Sequence, residues 1–181
     1  MSSPQALSDS DRRCVAAWAA DCAEHVVELF EAEAPADGRP RDAIERTRAY
    51  SRGELEAAGE IRRRFVAGRA ASAVSSPAAV AAARAAAQAS GVAHMGAHAL
   101  GAAAYAAKAA GLAASDEAAA RRREVSWQLA HMTAPVRAAL RRLPPVGEDS
   151  AGPLGGGLLA SGVLAAVIRE LQAAVRQPDV R

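Results

Sequence analysis

The sequence of 181 residues has few aromatic side chains, 3% of the chain, and no excess of one charge. Its 22 basic residues are interleaved with 20 acidic ones, which leaves a formal net charge of +2. A nucleic-acid-binding surface needs a concentrated basic patch, and single-stranded nucleic acid also needs aromatic rings on which bases stack. Because both features are missing, we expect no nucleic-acid partner.

Cysteines and long apolar runs are also scarce. Cys14 and Cys22 lie on one predicted helix, roughly 12 Å apart along an axis that rises about 1.5 Å per residue, which is too far for a disulfide. The most apolar run, residues 155–168, is shorter than the roughly 20 residues that cross a bilayer. Residues 1–13 contain no apolar segment typical of a secretory signal. We therefore expect free thiols, no membrane partner and a cytoplasmic location.

Large aliphatic side chains are few as well. Leu, Ile, Val and Phe together supply 32 residues, whereas alanine supplies 51. Alanine is the strongest helix former and is depleted in strands, so this composition favours closely packed helices. No segment shows the alternating pattern of a strand. We predict an all-α protein, a compact bundle of about seven to eight helices with no sheet.

Capping residues and apolar spacing predict where the helices lie. Gly91 and Gly96 should divide the alanine-rich middle of the chain into two helices, because glycine is unfavourable in a helix interior. In the third predicted helix, Phe65 is expected to point inward. The first helix should follow residues 8–10 and end near residue 33, and the later ones should span about residues 41–52, 54–73, 78–92, 96–113, 115–131, 135–143 and 158–176.

The composition changes after residue 143. Residues 144–157 are rich in proline and glycine, which is typical of a linker, and an apolar helix follows them. We predict a helical domain over residues 1–143 and an extension over residues 144–181 whose helix packs on that domain or on a partner. The apolar alanine faces are equally compatible with a monomer and with a homodimer.

Histidine, tyrosine and lysine side chains form the first candidate site. His94, His98, Gly101, Tyr105 and Lys108 fall within about 80° of one another on a helix that advances by roughly 100° per residue. If this stripe faces a cleft, it could transfer protons, supply an amine nucleophile or bind an anion. If it faces a neighbouring helix, it would pair with acids. Two histidines without an HExxH or Cys-x-x-Cys motif do not indicate a metal site, so no metal is expected.

Charged residues of the first two helices form the second candidate group. Asp21 and His25 are four residues apart at the edge of the apolar stripe that contains Trp18. Arg39 and Arg41 lie at the amino end of the second helix, where positive charge opposes the helix dipole. We favour internal ion pairs between these arginines and carboxylates of the first helix. The alternative is that the arginines bind an anionic group of a ligand or partner.

Cys22 and His25 are spaced closely enough to suggest a nucleophile and its base. However, Cys22 lies at the centre of the apolar stripe, where burial raises the pKa of a thiol and makes it unreactive. We therefore expect no cysteine catalysis.

Three segments of the chain occur in a recognisable order. The segments are Trp18-Ala-Ala-Asp21-Cys22-Ala-Glu-His25, Arg39-Pro40-Arg41-x-Ala-Ile44, and the run from His94 through His98 and Tyr105 to Lys108, with Trp127-Gln-Leu near the end. In this order they resemble the Imm-5-like immunity proteins, small all-helical bacterial proteins associated with polymorphic toxin systems. The resemblance covers about residues 10–143 and implies a cytoplasmic protein that binds and neutralises a cognate toxin.

Two functional hypotheses follow. In the first, the chain is a non-enzymatic binding module, and the shared polar residues hold its scaffold. In the second, it is a small-molecule enzyme or ligand-binding protein of a bacterial biosynthetic pathway, without a cofactor, and its site lies between the first and fifth helices. Buried and mutually paired side chains favour the first hypothesis, whereas several unpaired groups converging on a pocket favour the second. The second assigns catalysis to Asp21, His94, His98, Tyr105 and Lys108, and ligand binding to Trp18, His25, Arg39 and Arg41.

Overall fold

The computed structural model describes residues 3–63 and 65–177 and is all-α within these ranges. Its helices are α1 (Asp9–Glu31), α2 (Arg39–Ser51), α3 (Ala57–Arg63), α4 (Val66–Ala70), α5 (Pro77–Gly91), α6 (His98–Leu112), α7 (Glu117–Ala130), α8 (Ala134–Leu140) and α9 (Gly162–Arg176). The described residues contain no strand, only an isolated bridge between Asp149 and Gly155. None of the described helices has the length and apolarity needed to span a membrane. The prediction of an all-α bundle without a sheet is confirmed.

Side-chain caps begin several of these helices. Ser8, Ser76, Asp116 and Thr133 precede α1, α5, α7 and α8, and each side chain accepts a hydrogen bond from the backbone N–H three residues further on. The alanine-rich stretch is divided as its glycines predict, because α5 ends at Gly91 and α6 begins seven residues later.

The segment after α2 differs from the prediction. Instead of one helix over residues 54–73, the structure has α3, α4 and a short 3-10 turn, Ala71–Ala73. Phe65, which was expected to face the core, is 61% exposed. Ala67 and Ala70 of α4 are buried instead, and α4 packs on α5. Small side chains make this close contact, and the phenyl ring remains outside it.

Helix α6 is the centre of the bundle. It contacts α1, α5, α7 and α9, and its residues 99–107 are all buried. A helix that is apolar on every side belongs in the interior, and alanine side chains allow neighbouring helices to approach closely. Helix α1 covers one side of this centre with Val15, Trp18, Cys22 and Val26, so the predicted apolar stripe of the first helix does face the core.

The segment after α8 packs on the same helices. Helix α9 contacts α6, α7 and α8, and its apolar side chains are buried. The buried side chain of Gln5 holds the glycine-rich connection: Nε2 donates to Asp149 Oδ2 at 2.8 Å and to the carbonyl of Ala151, and Oε1 accepts from the Leu154 N–H at 2.9 Å. The N-terminal segment therefore attaches this connection to the helical body.

Candidate functional site

Three pockets open beside one another along α1 and α7, and we call this surface the α1–α7 face. The central pocket, of about 490 Å³, is lined by Asp21, Glu24, His25, Glu28, Arg48, Trp127 and His131. The side pocket, of about 400 Å³, shares Asp21 and His131 with it and extends toward α8. The alanine pocket, of about 410 Å³, shares His25 and Trp127 with it and is otherwise lined by Ala110, Ala113, Ala114, Ala120, Arg123 and Glu124.

A stack of three rings separates these pockets. The Trp127 indole lies between the imidazoles of His25 and His131, with ring centroids 3.9 and 4.1 Å away and interplanar angles of 12° and 28°. Trp127 and His131 are four residues apart, so the helical repeat places them on one side of α7, while His25 comes from α1. His131 Nδ1 donates to the Trp127 carbonyl at 2.7 Å. The stack forms a ridge in which a half-buried indole lies between two exposed imidazoles.

A buried carboxylate orients the first ring of the stack. Glu124 is 5% exposed, and its Oε2 accepts a hydrogen bond from His25 Nδ1 at 2.7 Å. Gln128 Nε2 donates to the other carboxylate oxygen at 3.0 Å and to the carbonyl of Ala103 in α6 at 3.0 Å. Within residues 3–63 and 65–177, His25 is the only basic side chain in ion-pairing distance of Glu124. These contacts join α1, α6 and α7.

Cys22 is buried next to this cluster and is not part of any pocket lining described above. Burial, followed by the negative charges of Glu124 and Asp21, raises the pKa of the Cys22 thiol well above its ordinary value. The neutral thiol is therefore the form present at physiological pH. His25 Nδ1 is engaged by Glu124 rather than by Cys22, so the two do not form a nucleophile–base pair.

The central pocket has a net negative charge. Its lining has three carboxylates, Asp21, Glu24 and Glu28, and one guanidinium, Arg48. Arg48 bridges Asp21 at 2.7 Å and Glu24, and its hydrogen bond lowers the pKa of the Glu24 carboxyl. The Glu28 side chain is exposed. The charge of this pocket is thus opposite to the formal charge of +2 on the whole chain.

The two arginines at the start of α2 have internal partners. Arg39 contacts Asp37 through Nε at 2.8 Å and a terminal nitrogen at 2.5 Å. Arg41 contacts Glu31 at 2.7 Å and Glu24 at 3.2 Å. Neither arginine lines the three pockets of the α1–α7 face. Arg41 thus pairs with carboxylates of the first helix, as we favoured, whereas the partner of Arg39 is Asp37, which lies in the loop after that helix.

The predicted stripe of histidine, tyrosine and lysine is divided between two elements. His94 is exposed in the turn before α6 and is therefore not on the helix that carries the other residues. His98 is the first residue of α6, with Nδ1 2.8 Å from Gln88 Oε1. Tyr105 is buried and Lys108 is half-buried. None of these four predicted catalytic residues lines the three pockets of the α1–α7 face.

The other predicted residues meet at the α1–α7 face. Asp21 and His25 line the central pocket. Trp18 lines the side pocket but is only 2% exposed, and its Nε1–H donates to the carbonyl of Gln128 at 3.0 Å. The Trp18 side chain therefore joins α1 to α7 in the interior.

The residues that α7 contributes were not predicted from the sequence. Trp127 was named only as part of the family resemblance, and Glu124 and His131 were not proposed as members of a site. The pattern that could have indicated them is their spacing of three and four residues, which places all three on one side of a helix. Arg48, a single arginine among many, has no comparable signal in the sequence.

The groups on this face are suited to binding. A carboxylate that orients a histidine is typical of general bases. The lining of the central pocket contains no serine, threonine, cysteine or lysine, whereas that of the side pocket contains Ser10, Cys14, Ser51 and Thr133. No group of three or more His, Cys, Asp or Glu side chains in the described ranges is arranged to hold a metal ion. The stacked rings and carboxylates provide the aromatic and charged contacts found in protein interfaces.

Comparison with known proteins identifies a family. The profile of the family described as Imm-5 like putative immunity protein matches residues 5–135. The match includes all residues of the central and alanine pockets and ends before α9. No curated protein and no solved structure matches the chain. Since the matched segment covers well over half of the sequence, the resemblance is confirmed and the chain belongs to the Imm-5-like immunity protein family.

Proposed function

We propose that this immunity protein binds a cognate bacterial toxin with its α1–α7 face and neutralises it without catalysis. The observation that carries this proposal is the ring stack of His25, Trp127 and His131. The chain has only two tryptophans, and one of them lies on the surface between two exposed imidazoles. Tryptophan is enriched among the residues that dominate binding energy in protein interfaces. Family membership makes a toxin the class of partner we expect.

The shape of the face agrees with a protein partner. The ridge lies between pockets of about 400 to 490 Å³, so a protein that covers all three would bury Trp127 near the middle of the contact. Charged side chains, including Glu28 and Arg123, are exposed around it. An aromatic centre with a polar rim is the usual anatomy of a specific interface.

Neutralisation by binding needs no reacting group on this face. The toxin would be inhibited because its surface is covered, and the net negative charge of the central pocket would attract a basic region of the toxin. Electrostatic complementarity of this kind mainly raises the association rate, and salt reduces the effect. We therefore expect association to slow as ionic strength increases.

The test pairs the chain with the toxin domain encoded beside its gene. Co-expression should restore growth of cells that produce the toxin, and titration calorimetry should detect a complex of the purified proteins. Trp127→Ala should weaken the complex at least tenfold. Leu158→Ala should leave it unchanged, because Leu158 is an apolar side chain that is 61% exposed outside the three pockets. Toxin recovered from the complex should be chemically intact and active.

Three results would contradict the proposal: no complex, an affinity that does not respond to Trp127→Ala, or a toxin that the chain has modified. The second hypothesis, a small-molecule enzyme or ligand-binding protein, predicts a neighbourhood of biosynthetic genes instead. It also predicts a metabolite that copurifies and protects His94, His98, Tyr105 or Lys108 from chemical modification.

A further inference from the structure

We infer that the bound toxin inserts one basic side chain, a lysine or an arginine, into the alanine pocket and pairs its charged head with Glu124. The inference rests on the proposed function and specifies the chemistry of the toxin residue that contacts this part of the α1–α7 face. It is drawn from the burial of Glu124, from the lining of the pocket and from the position of the pocket beside the ridge.

Glu124 lacks a permanent positive partner. Its carboxylate is buried, and its two polar contacts in the described chain are His25 Nδ1 at 2.7 Å and Gln128 Nε2 at 3.0 Å. Gln128 is neutral, and His25 supplies a positive charge only when it is protonated. The His25 side chain is also 42% exposed, so water shares that charge. A buried carboxylate is costly without a cation, and a cation from a partner would reduce this cost.

The alanine pocket leads from the surface to this carboxylate. Of the residues that line it, Glu124 and Ala120 are buried, whereas the others are half-buried or exposed, so Glu124 is among the most deeply buried residues of the lining. The walls are alanine methyl groups and the Trp127 indole. An aliphatic stem fits methyl walls. Both faces of the Trp127 indole are covered by the imidazoles of His25 and His131, so the indole contributes its edge to the apolar wall. Lysine and arginine are the side chains that combine such a stem with a terminal positive charge.

The other charged groups near the pocket do not close it to a cation. Arg123 is the remaining charged residue of the lining, and it is exposed, so solvent screens its repulsion. The pocket shares His25 and Trp127 with the central pocket. A toxin bound over the Trp127 ridge therefore lies directly beside the alanine pocket. A basic side chain of that toxin is held at the pocket by the rest of the interface, whereas a free amine has no such additional contacts.

The first experiment uses the purified chain and a pair of amino-acid probes. N-acetyl-lysine methylamide is titrated and compared with the neutral N-acetyl-norleucine methylamide, and NMR follows the Trp127 indole and the methyl groups of Ala110, Ala113 and Ala120. We expect the lysine probe to bind at least fivefold more tightly than the norleucine probe. Glu124→Gln, which keeps the shape and removes the charge, should abolish the difference. Arg123→Gln should strengthen lysine binding.

Equal binding of the two probes, or a lysine preference that survives Glu124→Gln, would overturn the inference. Should the Glu124→Gln chain fail to fold, Ala110→Met provides a second measurement, because it fills the pocket and leaves the carboxylate in place. Ala110→Met should eliminate the shifts caused by the lysine probe, and shifts that persist would also overturn the inference.

The second experiment uses the toxin complex. Glu124→Gln should weaken it at least tenfold, and Leu158→Ala should not. A complex that is weakened by Trp127→Ala but unaffected by Glu124→Gln would overturn the inference and leave the proposed function intact, even if the probes had shown that the pocket takes a free amine. If no toxin binds, the proposed function fails, and the probe titration alone decides whether the pocket accepts a basic side chain.

Discussion

Replacing each of the two tryptophans with alanine should separate stability from binding. The Trp18 side chain is 2% exposed and donates a hydrogen bond to the Gln128 carbonyl at 3.0 Å. Truncating a buried aromatic residue costs about 3–5 kcal/mol, and the lost hydrogen bond adds about 1 kcal/mol. We therefore expect Trp18→Ala to lower the free energy of unfolding by about 4–6 kcal/mol. Each kcal/mol should lower Tm by about 2–4 °C.

Trp127→Ala should cost less. It removes two ring contacts of the surface stack, each worth about 0.5–1.5 kcal/mol beyond the area that the half-buried indole covers, and within the described chain it removes no side-chain hydrogen bond to another helix. Urea unfolding followed by far-ultraviolet circular dichroism measures both variants, with Leu158→Ala as a control expected to change the free energy by less than about 0.5 kcal/mol. If Trp127→Ala costs as much as Trp18→Ala, Trp127 belongs to the core and the ridge is not a separable binding element. A cost below about 2 kcal/mol for Trp18→Ala would refute the packing argument itself.

Three further predictions concern stability, thiol reactivity and acid sensitivity. Gln5→Ala removes three hydrogen bonds and should lower the free energy of unfolding by about 3 kcal/mol. Amide exchange in residues 147–155 should also become faster. Unchanged exchange would show that Gln5 does not hold this segment. A thiol reagent at pH 8 should label Cys14 in the folded chain and Cys22 only after denaturation, because burial raises the pKa of the Cys22 thiol. In the Cys14→Ser variant Cys22 is the remaining cysteine, so rapid labelling of this folded variant would contradict the prediction. The hydrogen bond from Arg48 lowers the pKa of Glu24 from its ordinary value of 4.5. The stability that this hydrogen bond contributes is therefore fully present above pH 4.5 and is lost as pH falls through the lower pKa that Glu24 has in the folded state. Melting curves from pH 3 to 7 should therefore fall less steeply for Glu24→Gln than for the unchanged chain, and parallel curves would exclude this contribution.

The elements that sequence analysis located well depend on local contacts. Ser8 and Ser76 cap their helices through backbone groups three residues away, and Gly91 ends α5 because glycine is unfavourable within a helix. Phe65 was misplaced because its environment depends on how closely α4 approaches α5, which the residues around Phe65 do not specify. Which side of a short helix faces inward is decided by the helix against which it packs.

The candidate site was harder to locate for the same reason. His25 and Glu124 are 99 positions apart, so no local pattern connects them. The sequence predicted the part of the face that lies on α1, with Asp21 and His25. It did not predict the residues of α7. The stripe that began at His94 also assumed a continuous helix, although the glycines beside it predicted the break that separates His94 from α6.

The residues that dock α7 onto the bundle explain why a binding face lies there. Alanine is the most frequent of the buried hydrophobic residues, and its small side chain interlocks less with a neighbouring helix than a large one does. Three polar contacts between helices add to the packing: Trp18 with the Gln128 carbonyl, His25 with Glu124, and Gln128 with the Ala103 carbonyl. Trp18 lines the side pocket, and His25 and Glu124 line the alanine pocket, so changing either of these two contacts affects both folding and binding. Trp127 makes no side-chain hydrogen bond to another helix among the described contacts, and it is therefore the position at which loss of binding can be measured with the least effect on the fold.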